Sequence, residues 1–321
     1  MLNIKTLQNI MRTDAGVNGD AQRIEQIIWI LFLKMYDLYE QNSQAASLLH
    51  GKAYTSIIPT ELRWANWAKD DKSGKAPTGD ELLNFVNNTL FPSLKKLSVS
   101  EDTPLNQKIV RKAFEDTNNY MKDVTALRQL INEIDKLEIK TKEDQKALSL
   151  TYETFLKALQ SAGNAGEFYT PRAVTDFIMH ILQPKIGDKI ADLACGTGGF
   201  LISAYHYLEQ YIQTAKDRET LNQSFYGIEK KALPFILCAT NFLINGIENS
   251  KLDHTNSFDT AFDDIKPQFD IIAMNPPYGG SENDSVKSQF PTEFRSSETA
   301  DLFMAMITQS LKTRQSGGCI A

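Results

Sequence analysis

Residues 190–200 read Ile-Ala-Asp-Leu-Ala-Cys-Gly-Thr-Gly-Gly-Phe. A short apolar run that ends near Asp192 and then meets several glycines predicts a strand, a tight turn and the start of a helix. Glycine lets the backbone approach a ligand closely and adopt positive φ, and the N–H groups at a helix N-terminus then face that ligand. The stretch therefore predicts a ligand site at the end of a strand in an α/β fold.

Two ligand classes use such a turn, dinucleotides and S-adenosylmethionine. The dinucleotide fingerprint is G-x-G-x-x-G, and here Leu201 stands where its third glycine belongs. Asp192, at the strand end, suits the cationic methionyl ammonium of S-adenosylmethionine better than a pyrophosphate. Glu229 ends the next predicted strand and can accept both ribose hydroxyls, the alternative being an acid that caps the following helix. Taken in order, these residues favour S-adenosylmethionine.

A second motif, Asn275-Pro-Pro-Tyr278, follows the predicted strand Phe269–Met274. Ligands of open α/β sheets bind at such strand ends. The Asn275 side-chain carbonyl and the Pro276 backbone carbonyl can accept the N–H groups of an exocyclic amine and stabilise the charge that grows on its nitrogen. Pro276 and Pro277 stiffen the loop, and Tyr278 offers a ring for stacking on a base. A rigid turn without a catalytic role is the alternative.

Strands and helices alternate after residue 185, which predicts βαβ units, a parallel sheet and a doubly wound α/β core. A helix is expected from Pro171 to Leu182, with Thr170 as its N-cap and Pro171 as its first residue. The other expected strands are 190–194, 224–229 and the beginning of one at 318–321. The expected helices are 198–211, 231–245, with Gly246 at its C-cap, and 300–312.

The first half of the chain shows helical periodicity and no convincing strand pattern. Residues 22–40, 81–90, 106–114, 124–137 and 142–160 are the predicted helices, and Lys69–Asp80 is a candidate surface loop. The small residues of Ser161–Gly166 mark a plausible boundary. We therefore expect a helical N-terminal domain over 1–160 and a catalytic domain over 161–321.

Composition narrows the function classes. The formal net charge is −6, which is unfavourable for a stand-alone nucleic-acid binder because phosphate contacts need clustered Lys and Arg. Three scattered cysteines without CxxC spacing argue against a disulfide framework or a zinc site and fit a reducing cytoplasm. The chain starts without signal-peptide character, and the apolar run Ile27–Leu33 is too short to span a bilayer.

The motifs resemble those of amino-methyltransferases, and the whole chain resembles the modification subunits of type I restriction–modification systems. Gly166-Glu-Phe-Tyr-Thr-Pro-Arg172 precedes the glycine turn, as in that family, where the segment lies against the cofactor. By the same resemblance Asp259 lies near the cofactor's adenine. Together these implications and the turn give the predicted cofactor-binding set: Glu167, Phe168, Tyr169, Thr170, Pro171, Arg172, Asp192, Gly196, Thr197, Gly198, Gly199, Glu229 and Asp259.

The resemblance implies a Rossmann-like core behind an all-helical N-terminal domain, S-adenosylmethionine as cofactor, and methylation of adenine N6 in DNA on a flipped base. It also implies three partners, which are a separate specificity subunit, a restriction subunit and a second copy of this chain. The implied location is the cytoplasm, and no membrane is expected as a partner. Members of the family usually continue beyond the segment that matches Gly317–Ala321, into further strands and helices.

Two alternatives stay open at this point. Asn-Pro-Pro-Tyr also occurs in methyltransferases that act on protein glutamine amides or on guanine amines of ribosomal RNA. A different class is a catalytically silent assembly module, whose helices hold a partner. The segment Phe168-Tyr-Thr-Pro171 and the helical first half favour DNA adenine.

Overall fold

The computed structural model describes residues 3–69, 76–161 and 169–313. The chain divides into two compact units. The first comprises residues 1–166 together with 239–246, and the second comprises residues 167–238 and 247–321. The expected boundary segment 161–166 and the expected strand 318–321 lie almost entirely outside the described residues.

The first unit is helical, and its described residues hold no strand up to residue 161. A π-helical turn, Val86–Leu90, joins two of its helices. The helices are α1 (Ile4–Ile10), α2 (Gly19–Leu49), α3 (Trp64–Trp67), α4 (Gly79–Phe85), α5 (Phe91–Lys95), α6 (Leu105–Phe114), α7 (Val124–Asp135) and α8 (Lys142–Ser161). The five predicted helices are confirmed, but α2 continues nine residues beyond the predicted end at Glu40. The second half of the predicted helix 81–90 is the π-helical turn.

Helix α2 is the centre of this unit. Every side chain from Gln26 to Tyr36 is buried, as expected for a helix that is apolar all round and enclosed by its neighbours. Buried Lys34 pairs with Asp135 of α7 at 2.8 Å, and the same carboxylate accepts the indole N–H of Trp64 at 2.7 Å. Among the described residues no helix is both long and apolar enough to cross a membrane.

A buried carboxylate fastens the loop after α1 to the start of α7. Asp14 accepts backbone N–H groups from Gly16 at 2.7 Å, from Lys122 at 3.1 Å and from Asp123 at 3.0 Å. Asp123 in turn caps α7, accepting the N–H groups of Thr125 and Ala126. The loop therefore lies close against the Tyr120–Asp123 segment.

The second unit contains a parallel four-stranded sheet in the order β3-β2-β1-β4. The strands are β1 (Ile190–Asp192), β2 (Phe225–Glu229), β3 (Lys251–His254) and β4 (Ile271–Ile272). The helices are α9 (Arg172–Leu182), α10 (Gly199–Glu209), α11 (Ala215–Asn222), α12 (Ala232–Asn245), α13 (Asp284–Lys287) and α14 (Thr299–Ser310), and residues 239–245 of α12 group with the first unit. The predicted α/β class with a parallel sheet is confirmed.

The sequence did not predict the short helices α1, α3, α5 and α13, and in the second unit it also did not predict strand β3 and helix α11. Strand β3 is an edge strand in which only Leu252 is buried, so it lacks the apolar run that predicted the other strands. Helix α11 is short and largely exposed, and a capping box between Thr214 and Asp217 starts it. Sequence periodicity is weak in both elements because little of either is packed against the core.

The predicted start of α9 is wrong by one residue. Pro171 occupies the N-cap position and α9 begins at Arg172, without a side-chain cap from Thr170. The Pro171 carbonyl accepts the N–H groups of Val174 at 2.9 Å and Thr175 at 3.2 Å. At the other predicted cap, Gly246 has φ +70 and follows α12, as expected.

Candidate functional site

The ends of β1 and β2 place two carboxylates inside the second unit. Asp192 is 1% exposed and accepts the N–H of Ala194 at 3.2 Å. Burial raises the pKa of Asp192 to about 8, and the nearby charge of Glu229 adds to this effect. A cationic ligand beside this carboxyl would favour its ionised form.

Glu229 joins the two strand ends. One carboxylate oxygen accepts the N–H of Gly196 at 2.9 Å and the other accepts the N–H of Lys231 at 2.7 Å. Burial raises the pKa of Glu229, while these two N–H groups oppose that rise. An ionised carboxylate has about four lone-pair sites, so both oxygens keep acceptor capacity for a ligand's hydroxyls.

The glycine turn is shaped by two residues in the left-handed region. Gly196 has φ +54 and Gly198 has φ +79, conformations that favour glycine over other residues. The turn is closed by a 2.7 Å hydrogen bond from the Gly198 N–H to the Cys195 carbonyl. Cys195 itself is a buried thiol 3.9 Å from the sulfur of Cys238.

Helix α9 is held against the first turn of α10. The Arg172 guanidinium donates to the Gly199 carbonyl at 2.9 Å and to the Ser203 hydroxyl at 3.2 Å. Buried Thr175 lies 2.7 Å from the same hydroxyl. Arg172, from the predicted segment 167–172, thus holds the start of α10 next to the glycine turn. Glu167 and Phe168 of the same segment lie outside the described residues.

Asn275-Pro-Pro-Tyr278 follows β4 at the same edge of the sheet. The Ala273 N–H, which donates to the Ala191 carbonyl at 3.0 Å, keeps β4 paired with β1 up to this loop. Asn275 is exposed, and Tyr278 is 75% exposed. The loop therefore leaves the sheet with its polar and aromatic side chains accessible.

A cavity of about 220 Å³ connects the two motifs. Its lining includes Gly196 and Glu229 from the first motif and Asn275 and Pro277 from the second. The turn after β3 and the start of α14 complete its wall. Of the described residues predicted for the site, those outside this wall are Tyr169, Thr170, Pro171, Arg172, Asp192, Thr197, Gly198, Gly199, Asp259, Pro276 and Tyr278.

The residues after β3 contribute differently from the expectation. Asp259 is exposed and closes its own turn, accepting the Thr255 hydroxyl at 2.8 Å and the Asn256 N–H at 3.2 Å. The residues before Asp259 line the cavity instead, among them Phe258. The ring centroids of Phe258 and Phe303 lie 4.6 Å apart. Sequence reasoning missed Phe258 because β3, which positions it, was not recognised.

Two family models match this chain, one in each half. The family model described as N-6 DNA Methylase matches residues 143–321, more than half of the chain. The chain belongs to the N-6 DNA methylase family. A second model, described as the HsdM N-terminal domain, matches residues 3–134.

Relatives of this chain include methylase subunits of type I restriction enzymes. The chain is 45% identical to the Escherichia coli type I restriction enzyme EcoEI methylase subunit over 96% of this chain and 62% of that protein. A crystal structure of a modification subunit from Vibrio vulnificus YJ016 is 35% identical, with TM-score 0.83 over 98% of this chain and 67% of that one. The resemblance to type I modification subunits is thereby confirmed.

A further solved structure, described under the assembly and conformational transition of a type I system, is 31% identical with TM-score 0.81. The match includes 97% of this chain and 61% of the chain in that structure. The chain thus spans about three fifths of the length of the first curated relative and of this structure.

Proposed function

We propose that this chain uses S-adenosylmethionine to methylate N6 of adenine in DNA, as the modification subunit of a type I restriction–modification complex. The observation that carries the proposal is that Gly196 and Glu229 line one cavity together with Asn275 and Pro277. A cofactor held by the first pair would lie in the same cavity as the second pair. Membership of the N-6 DNA methylase family supports adenine as the target.

The donor set fits S-adenosylmethionine. The buried carboxylates of Asp192 and Glu229 both have raised pKa values, and a cationic ligand offsets the cost of ionising them. The free lone pairs of Glu229 suit the two ribose hydroxyls. When bound, the cofactor supplies a methyl carbon activated by a positively charged sulfur.

The loop after β4 would prepare the amine. The lone pair of an exocyclic amine is delocalised into the base, so two acceptors on its N–H groups draw the nitrogen toward tetrahedral geometry. In this proposal the Asn275 side-chain carbonyl and the Pro276 backbone carbonyl are those acceptors, and they stabilise the positive charge that develops on the nitrogen. The surplus proton then leaves to water, without a general base before transfer.

The target adenine can reach this site only after it is extruded from the DNA duplex. Tyr278, 75% exposed in the same loop as Asn275, is the proposed stacking partner for the extruded adenine. Acidic side chains outnumber basic ones in residues 167–321. Because phosphate contacts need Lys and Arg, this supports DNA binding mainly by other subunits. The proposed partners are a specificity subunit, a restriction subunit and a second copy of this chain, in the cytoplasm, with residues 1–160 as the region of subunit and DNA contacts.

The test follows labelled methyl groups. The chain, together with its specificity subunit, is incubated with labelled S-adenosylmethionine and offered DNA, ribosomal RNA or a release-factor protein. Label at N6 of DNA adenine is expected. Asn275→Ala should lower kcat by about 10²–10³-fold, while its cofactor affinity stays within about twofold of wild type. Asn283→Ala removes an exposed asparagine from the same segment between β4 and α14 and serves as the control.

Three outcomes contradict parts of the proposal. Label found only in protein or only in RNA would overturn DNA adenine as the substrate. Cofactor binding without transfer to any of the three would favour a silent assembly module. Unchanged kcat in Asn275→Ala would remove the catalytic role of that side chain.

A further inference from the structure

The segment that follows Tyr278 is attached at two points to the start of α14. The backbone N–H of Gly279 donates to the Glu298 carboxylate at 2.8 Å. The N–H of Thr299 donates to the Gly280 carbonyl at 3.0 Å. Because Tyr278 and Gly279 share a peptide bond, the first contact acts directly on the backbone that carries the tyrosine.

Gly279 and Gly280 stand where a larger residue would be strained or crowded. Gly279 has φ +67, a left-handed conformation in which an L side chain is strained. A Cβ on Gly280 would lie 3.0 Å from the Thr299 hydroxyl oxygen. The chain thus turns sharply behind Tyr278 and lies directly against Thr299, which is 3% exposed.

Glu298 is itself well placed to hold this turn. It occupies the N-cap position of α14, yet its side chain makes no capping bond to that helix. Its backbone is fixed instead by a 3.0 Å bond from its N–H to the Ser296 hydroxyl, which in turn donates to Asp301 at 2.7 Å. An N-cap side chain ordinarily accepts from its own helix, whereas this one is directed at the catalytic loop.

We propose that Glu298 is a positioning residue for methyl transfer. Its carboxylate fixes the Gly279 N–H and so sets the orientation of Tyr278 relative to Asn275. A hydrogen bond to a charged acceptor is stronger and shorter than a neutral one. This inference rests on the proposed function, because it assigns Glu298 a part in orienting the loop that receives the base.

The kinetic test compares three variants in the complex with the specificity subunit. Glu298→Ala should lower kcat by about tenfold, since small misplacements of reacting groups are costly, while the cofactor Kd stays within about twofold. Glu298→Gln should recover most of the rate, because its amide oxygen can accept the same N–H. Exposed Glu293→Ala removes an equal charge from the same connection and should match wild type.

A second readout needs no partner and no turnover. Amide hydrogen exchange on the full chain alone reports whether Gly279 is held. Exchange at Gly279 should be about fivefold faster in Glu298→Ala, because one charged hydrogen bond is lost, and near wild type in Glu298→Gln. Thermal unfolding midpoints that agree among the variants show that the fold is retained.

The outcomes separate the two proposals. A wild-type complex that methylates no DNA contradicts the proposed function. Normal transfer and wild-type exchange at Gly279 in Glu298→Ala would overturn the positioning role alone. An equal loss of rate in Glu298→Ala and Glu293→Ala would also overturn it, because only the total charge would then matter.

Discussion

The carboxylate of Glu229 accepts the backbone N–H of Gly196 at 2.9 Å, so the end of β2 is fastened to the glycine turn that follows β1. We expect Glu229→Ala to weaken S-adenosylmethionine binding by about 10–100-fold, because hydrogen bonds to a charged group are lost from both loop and ligand. Glu229→Gln should lie between this variant and wild type. Isothermal calorimetry measures the three affinities.

Exposed Glu219→Ala on α11 is the matched control for lost charge and should bind like wild type. If Glu229→Ala binds the cofactor as tightly as the control, Glu229 serves only as an acid at the start of α12.

The raised pKa of Asp192 predicts a pH-dependent cofactor affinity. Below about pH 8 the buried carboxyl is largely protonated in the free chain, and a cationic ligand favours its ionised form, so binding releases a proton. The affinity should therefore rise by up to about tenfold per pH unit as pH increases toward 8, and then level off. Calorimetry in buffers of different ionisation enthalpy should detect the released proton.

Asp192→Asn removes this titration, and its affinity should be lower and flat over the same pH range. The free chain should show the opposite trend in stability. The folded state holds a proton that the unfolded state has lost above about pH 4, so the contribution of Asp192 to stability falls as pH rises from about 4 to about 8. An affinity of wild type that does not change with pH would contradict both the buried titration and the cationic ligand.

Tyr278 should contribute through its ring and not through its hydroxyl. Tyr278→Ala is expected to lower kcat/KM for DNA by about tenfold or more, since stacking on a base is worth roughly 1–3 kcal/mol. Tyr278→Phe keeps the ring and should stay within about twofold. Steady-state methylation assays compare them with Tyr211→Ala, which removes another exposed tyrosine from the end of α10. Equal losses in the Ala and Phe variants would point to the hydroxyl instead.

The parts of the fold that the sequence predicted are those with strong local constraints. The strand, turn and helix around Asp192 combine an apolar run, glycines at positive φ and a helix start, and each of these is visible in the residue types. Strand β3 carries one buried residue, Leu252, and its place at the sheet edge depends on pairing with β2. Such non-local pairing leaves little trace in periodicity.

The same limit applies to the candidate site. Asn275 was predicted because it follows an apolar strand and Glu229 because it ends one, and both line the cavity. Phe258 and Glu298 were not predicted, because an aromatic residue in a turn and an acid before a helix have many ordinary roles. Their contacts with Phe303 and Gly279 arise only when distant segments are brought together.

In the helical unit, Gly16 lies against the backbone of Tyr120. A Cβ on Gly16 would stand 1.9 Å from the Tyr120 carbonyl oxygen, and Asp14 pins both sides of this contact through hydrogen bonds to Gly16 and Lys122. Neither segment can move without breaking that network. Gly16→Ala should therefore destabilise the unit by about 3 kcal/mol, the upper part of the range for overpacking.

Gly51→Ala is the matched control for this prediction. Gly51 has φ +66 and no atom within 4 Å of its would-be Cβ, so only backbone strain of about 1 kcal/mol is expected. All three tryptophans of the chain, Trp29, Trp64 and Trp67, are buried in the same helical unit, so their fluorescence reports its urea unfolding separately. If the two variants lose equal stability, the close approach at Tyr120 is relieved by movement, and Asp14 does not hold the loop as rigidly as its hydrogen bonds to three backbone N–H groups imply.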